Sequence, residues 1–202
     1  MKKILSIFAV LLCFCANAQT TDLTKEVEET LKQQARVKVD ELTNHISFIM
    51  QKSGYGNDIK DFHIQAALNL FLGKGKSYSD KYGNVQPAPR MQVSSINRET
   101  GAVSVRDFPV STYLSNLKYL SYDQVEITNS KSTFINDLHK VGNDEYEAVL
   151  SWVQIFIGKK GDMVIYKDKT KKNIVVRMQK KNYGGIVRWD VLLGDTTAAV
   201  TE

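Results

Sequence analysis

The sequence predicts an α+β fold in which helices pack on a strongly curved, antiparallel or mixed sheet. Three observations lead there. Apolar residues recur at spacings of three and four up to residue 72 and again after Pro109. From residue 124 onward they recur at a spacing of two. The two kinds of segment are grouped rather than alternating, which excludes a doubly wound parallel sheet.

Thr20–Lys52 places Leu23, Val27, Leu31, Ala35, Val39, Leu42, Ile46 and Ile49 on one stripe of a helix. Lys, Glu and Gln fill most of the other positions, Thr21 or Asp22 can cap the start, and a helix of this length is expected to bend or break over a sheet. Ser53-Gly54-Tyr55-Gly56 ends it. Asn57 reads as the cap of a second helix, with Ile59, Phe62, Ala66 and Leu70 at helical spacing and Gly73 and Gly75 as its stop. Residues 73–90 turn to Gly, Ser, Asn, Lys and Pro, an ordered loop or a lid.

Beyond the loop, Met91–Ile96 and Val103–Val105 read as a short hairpin turning at Gly101. Pro109 suits the first position of a third helix with Tyr113, Leu114, Leu117 and Leu120 as its apolar face. Four long strands follow. Gln124–Thr128 with Ser132–Asp137 makes the first, Tyr146–Ile157 the second, and Asn173–Lys180 with Gly185–Leu193 the closing hairpin. The middle strand is apolar on both faces, so both are expected to be covered.

Of 202 residues, 43% are hydrophobic and 24% charged, which excludes a disordered or collagenous chain. Residues 1–18 (MKKILSIFAVLLCFCANA) carry Lys2 and Lys3, an apolar run and an Ala-Asn-Ala cleavage signal, the pattern of a secretory signal peptide. The run is too short to span a bilayer. Neither Cys13 nor Cys15 follows a small residue, as a lipid-bearing cysteine would. The expectation is an exported, soluble protein, periplasmic or extracellular, with one domain over residues 19–202. Cleavage removes both cysteines, so the domain relies on its core rather than on disulfides. The small positive charge left gives no argument for nucleic acid.

In element order over residues 21–200 the chain resembles the nuclear transport factor two-like superfamily, the cystatin-like cone shared with ketosteroid isomerase and scytalone dehydratase. Ala67–Gly75 (ALNLFLGKG), Arg90–Asn97 (RMQVSSIN), Tyr113–Thr128 (YLSNLKYLSYDQVEIT), Asp168-Lys169-Thr170, Lys172-Asn173-Ile174 and Trp189–Asp195 (WDVLLGD) further resemble uncharacterised exported bacterial members. The resemblance implies a conical sheet closed at the back by helices, whose hollow serves relatives as a ligand pocket, an enzyme site or a partner surface. It implies that any enzyme among them moves a proton with a carboxylate or an Asp-His pair inside the cone.

Asp61 and His63 are the candidates for such a base, although two residues apart on a helix they point in different directions. Each also has a plain reading, Asp61 as support for the helix N-terminus and His63 as a solvated side chain. His45 and His139 add no metal-ligand spacing, no Gly-x-Ser-x-Gly occurs, and no cofactor is implied. Gly73-Lys74-Gly75-Lys76-Ser77 lacks the first glycine of a phosphate loop and follows a helix rather than a strand. Lys167, Lys169, Lys171, Lys172, Arg177, Lys180 and Lys181 form a basic run, read as a solvated sheet face or as an anion-attracting patch. Tyr113, Trp152, Gln154 and Trp189 are the candidate pocket or interface residues, with the 73–90 loop near the rim. The function expected is a non-catalytic binding module for a small molecule or partner protein. The alternatives are an isomerase- or dehydratase-type enzyme and a structural envelope subunit, and a homodimer is compatible with each.

Overall fold

The computed structural model describes residues 23–51, 56–97 and 99–201, with the side chain of Val200 excepted. The proposed signal peptide, Thr21, Asp22 and residues 53–55 lie outside them. The elements run α1 (Lys25–Met50), α2 (Asn57–Leu68), β1 (Tyr78–Ser79), β2 (Val85–Gln86), β3 (Arg90–Ile96), β4 (Val103–Pro109), α3 (Val110–Leu117), β5 (Gln124–Asn129), β6 (Thr133–Phe134), β7 (His139–Gly142), β8 (Glu145–Lys160), β9 (Met163–Tyr183) and β10 (Ile186–Thr201). Helices on one large sheet make this an α+β fold, as expected. No helix among the described residues is long and apolar enough to cross a membrane.

The sheet has the order β4-β3-β10-β9-β8-β5, with β6 and β7 also paired to β8. Its neighbours are antiparallel except β3 and β10, which run parallel around Met91 and Thr196. The chain can close that pair because β4, α3 and β5 to β9 separate the two strands in sequence. β8, β9 and β10 are 16, 21 and 16 residues long. Strands of that length twist and coil under their own handedness, and the inner face of this set is where the helices lie.

α1 buries its stripe there, whereas α2 turns Ile64, Ala67 and Leu68 inward and leaves the predicted Ile59 and Phe62 exposed. Leu31, Ala35, Val39, Leu42, Ile46 and Ile49 of α1 join Leu150, Ile174, Val176, Met178 and Leu193 of the sheet in one apolar core. α1 begins at Thr24, whose side chain accepts from the Val27 N–H, and continues unbroken as one helix rather than breaking over the sheet. Asn129 Nδ2 donates to Thr43 Oγ1 at 2.7 Å, tying β5 to the helix. α2 starts one residue earlier than its predicted cap, with Gly56 in that position and Asn57 already helical.

After α2 the chain makes a tight left-handed turn. Gly75 has φ +73°, and a Cβ there would stand 2.3 Å from Leu68 Cδ2, so the position needs glycine. The Leu193 N–H then donates to the Leu70 carbonyl at 2.9 Å, pinning the end of α2 to β10. The 73–90 loop is ordered by the small β1–β2 hairpin. It leads to Pro89, whose carbonyl accepts from the Val110 N–H at 2.8 Å and so sets where α3 begins.

Three strand predictions need correction. The strand expected over 124–137 is two separate pieces, β5 and β6, both paired to β8. β7, which holds His139 and pairs with β8, is not among the predicted strands. β9 begins ten residues before Asn173, at Met163; the lysines of its first half obscure an inward-facing polar row.

Candidate functional site

α3 and the segment after it stand over the inner faces of β9, β8 and β3 and enclose a cavity of about 310 Å³. Leu117 and Leu120 with Phe108, Phe156 and Tyr122 make its apolar walls. β9 supplies a polar row at a spacing of two, Tyr166, Asp168, Thr170 and Lys172, while Tyr113 and Gln154 face in from α3 and β8. The alternation of β9 turns Lys167, Lys169 and Lys171 outward to solvent and Lys172 inward.

Tyr122, Phe156 and Tyr166 form an aromatic cluster with ring centroids 5.6–6.3 Å apart. Gly158 allows it. A Cβ at that position would stand 2.6 Å from the Tyr122 ring, so a side chain there would push the ring off the wall.

The titratable groups are held away from their usual behaviour. Asp168 is 9% exposed. Burial raises its carboxyl above the ordinary carboxylate range, opposed by the hydrogen bond from Tyr166 and the charge of Lys172. Tyr166 Oη donates to Asp168 Oδ2 at 2.8 Å. Burial, with that hydrogen bond second, drives the Tyr166 phenol well above its usual range. Tyr113 is pushed up to about 12 by burial, the charge of Asp168 adding to it, so its hydroxyl stays a neutral donor. Lys172 is 7% exposed. Burial brings it down to about 8 against the opposing charge of Asp168, and its Nζ donates to the Gln92 carbonyl at 3.2 Å. A carboxyl, two phenols and an amine thus share one small cavity with apolar walls, a setting for proton transfer.

The residues singled out from the sequence go to different places. Tyr113 and Gln154 line the cavity. Trp152 sits in the core at 5% exposure, with its indole Nε1 buried and unpartnered among the described residues. Trp189 lies at the far end of the sheet against Tyr146, ring centroids 5.9 Å apart. Asp61 is exposed and bonds Lys118 Nζ at 2.6 Å. His63 packs between α1 and α2, its Nδ1 3.0 Å from His45 Nδ1 and its ring stacked on Phe48. Neither Asp61 nor His63 lines the cavity: Asp61 faces Lys118 at the surface, and His63 faces His45 and Phe48 of α1. The 73–90 loop borders a different, larger hollow of about 670 Å³, with Tyr78, Asp80 and Lys81 facing Glu145 and Gln179. The basic run is not one patch: Arg177 bonds Glu145 and Glu147, and Lys181 bonds Asp190.

Asp168, Lys172 and Tyr166 were missed as site residues. The signal was present in the sequence as Tyr-x-Asp-x-Thr-x-Lys against Lys-x-Lys-x-Lys, two interleaved rows of period two. Among the described residues no group of three His, Cys, Asp or Glu could hold a metal ion.

No protein-family model matches the chain, and no curated protein matches it in sequence. Two solved structures resemble it in outline. One is a candidate scytalone dehydratase from Novosphingobium aromaticivorans, 9% identical at a TM-score of 0.38, with 86% of this chain and 90% of that one covered. The other is a hexachlorocyclohexane dehydrochlorinase, LinA type 2, 7% identical at a TM-score of 0.38, with 86% and 91% covered.

Proposed function

We propose that this protein binds a small, largely apolar molecule in the cavity under α3 and moves a proton on it, with Asp168 as the acid–base group. One observation carries the reading: a buried carboxyl, raised above its usual range and fixed by Tyr166, stands at the wall of an apolar cavity. A carboxylate in water is a weak base. Desolvated, it abstracts a proton more readily, and Tyr166 holds it in one orientation. Tyr113, neutral throughout the physiological range, supplies a hydrogen bond to an oxygen of the bound molecule, where negative charge develops as the proton leaves. The cavity volume is at the low end for ligand pockets and suits a small metabolite rather than a nucleotide or peptide.

The proposal favours an isomerase- or dehydratase-type activity over a non-catalytic module, and it moves the base from Asp61 or His63 to Asp168. Export by way of residues 1–18 is part of the same proposal. The experiment is a thermal-shift screen with cyclic ketones and phenols, followed by NMR of deuterium exchange at the carbon beside the carbonyl of each ketone hit. Wild type is expected to bind and exchange, Asp168→Asn to bind without exchanging, and Leu120→Trp, which fills the cavity, to do neither. Exchange by Asp168→Asn at the wild-type rate would remove Asp168 from its role. Equal thermal shifts for wild type and Leu120→Trp would remove the cavity.

A further inference from the structure

The structure assigns a second reactive group to this cavity: the ε-amine of Lys172, which we infer forms an imine with an aldehyde or ketone. The inference rests on the cavity proposed above and deepens it by naming the substrate class.

Lysine rarely gives up water at its ammonium group. Its usual course is to bury the stem and extend the charge outward. On β9 the three lysines of the outer row, Lys167, Lys169 and Lys171, are exposed, while Lys172 points into the cavity and is 7% exposed. Its opposite residue on β8 is Trp152, and its Nζ is oriented by the Gln92 carbonyl on β3. Neither neighbour carries a charge. The nearest carboxyl in the cavity belongs to Asp168, on the same face of the same strand, where Tyr166 already holds it. The structure has therefore placed a desolvated amine on the wall of the same cavity as an acid–base group, where a small molecule can reach both. Burial lowers Lys172 to about 8, so that at neutral pH about a tenth of it is free amine, against roughly one part in 2,500 for an ordinary lysine.

The chemistry balances with the groups present. The Lys172 nitrogen lone pair forms a C–N bond to the carbonyl carbon as the carbonyl π electrons move to oxygen. Protonated Asp168 gives that oxygen a proton, and the carboxylate so formed takes one from nitrogen, leaving a neutral carbinolamine. Asp168 then returns the proton to the hydroxyl, which leaves as water while the nitrogen lone pair forms the C=N bond. The product is an iminium ion, which loses its proton to Asp168 to become the imine. No oxidant or reductant is consumed. In the iminium the carbon next to the C=N bond is acidified, and the Asp168 carboxylate left by the dehydration can take a proton from that carbon in place of the one on nitrogen.

The probe is cyclohexanone with sodium cyanoborohydride at neutral pH, read by peptide mass spectrometry of the wild-type protein. Reductive alkylation of Lys172 is expected at least tenfold faster than of Lys167 on the outer face. In Leu120→Trp, Lys172 should slow at least tenfold while Lys167 is unchanged. Alkylation of Lys172 no faster than of Lys167 overturns the imine. If cyclohexanone still raises the Tm of wild type and not of Leu120→Trp, that result leaves the acid–base cavity standing, so the two proposals fail separately.

Discussion

The ribbon formed by β8 and β9 carries ionisable side chains at both ends and treats them in opposite ways. At one end Arg177 lies opposite Glu147, donates to Glu145 Oε1 at 3.1 Å, and shares Glu145 with Gln179. Burial alone would lower Arg177, but its hydrogen bonds to Glu147 and Glu145 outweigh that and hold it firmly charged. At the other end Asp168 lies opposite Phe156 and Lys172 opposite Trp152. There the cross-strand partners are aromatic, and burial pushes both groups toward their neutral forms. Charges given partners hold a sheet together. Charges given apolar walls cost stability and become available for chemistry.

The comparison breaks most easily at its strongest point, the sign of the stability change. Arg177→Ala strands the buried Glu145 and the half-buried Glu147 and is expected to lower the unfolding free energy by about 2–3 kcal/mol in urea titrations. Lys172→Met should do the reverse, raising it by about 1–2 kcal/mol at pH 7, because an apolar residue of similar length replaces a buried cation. The pH dependence supplies an internal check. The folded pKa of Lys172, about 8, lies below the roughly 10.4 of an unfolded chain, so between them the unfolded state binds more protons and wild-type stability rises with pH. Lys172→Met should flatten that rise. A loss of stability in Lys172→Met would show that the amine is structural and that the two ends of the ribbon do not differ.

Gly158 tests the wall rather than the charges. Gly158→Ala sets a methyl group against the Tyr122 ring and is expected to cost about 1 kcal/mol. Its more telling effect should be the loss of the ligand-induced thermal shift as the ring moves into the cavity. A shift equal to wild type would mean that Tyr122 does not shape the binding space.

How much of this could be read beforehand follows the physics of each segment. The α1 stripe was legible because burial repeats every three or four residues over a long helix, and β8 because its alternating run is apolar. The first half of β9 was not. Lysines at 167, 169 and 171 give a strand no apolar face, and the inward row of Tyr166, Asp168, Thr170 and Lys172 is itself polar, so hydrophobic periodicity is silent there. Polar alternation marked it instead. Asp61 and His63 drew attention as an acid and a base close in sequence, yet residues two apart on a helix face different surroundings. Tyr113 and Gln154 reach the cavity because α3 and β8 present those positions to the sheet's inner face; Trp152, on the same face of β8, is covered over by the core.

The smallest expected effect separates the two acid-side titrations. His45 is lowered mainly by burial and then by the charge of His63, with Glu41 opposing and Lys38 adding a smaller lowering. With its folded pKa below the unfolded 6.5, the stability it contributes is present above that value and is lost as pH falls through the folded one. Asp168, raised in the folded state, works in the opposite sense: its contribution is full below the unfolded pKa and is lost as pH rises through the raised value. In wild type the two oppose each other between neutral pH and the carboxylate range. His45→Gln should therefore shrink the stability lost between pH 7 and pH 5 by a few tenths of a kcal/mol, measured by urea titration at each pH. Adding Asp168→Asn should enlarge the loss again, because the group that gains by taking up a proton is gone. If the double variant follows His45→Gln at every pH, the Asp168 carboxyl titrates as an ordinary surface acid. The cavity end of the ribbon would then be no more reactive than the end that Arg177 neutralises.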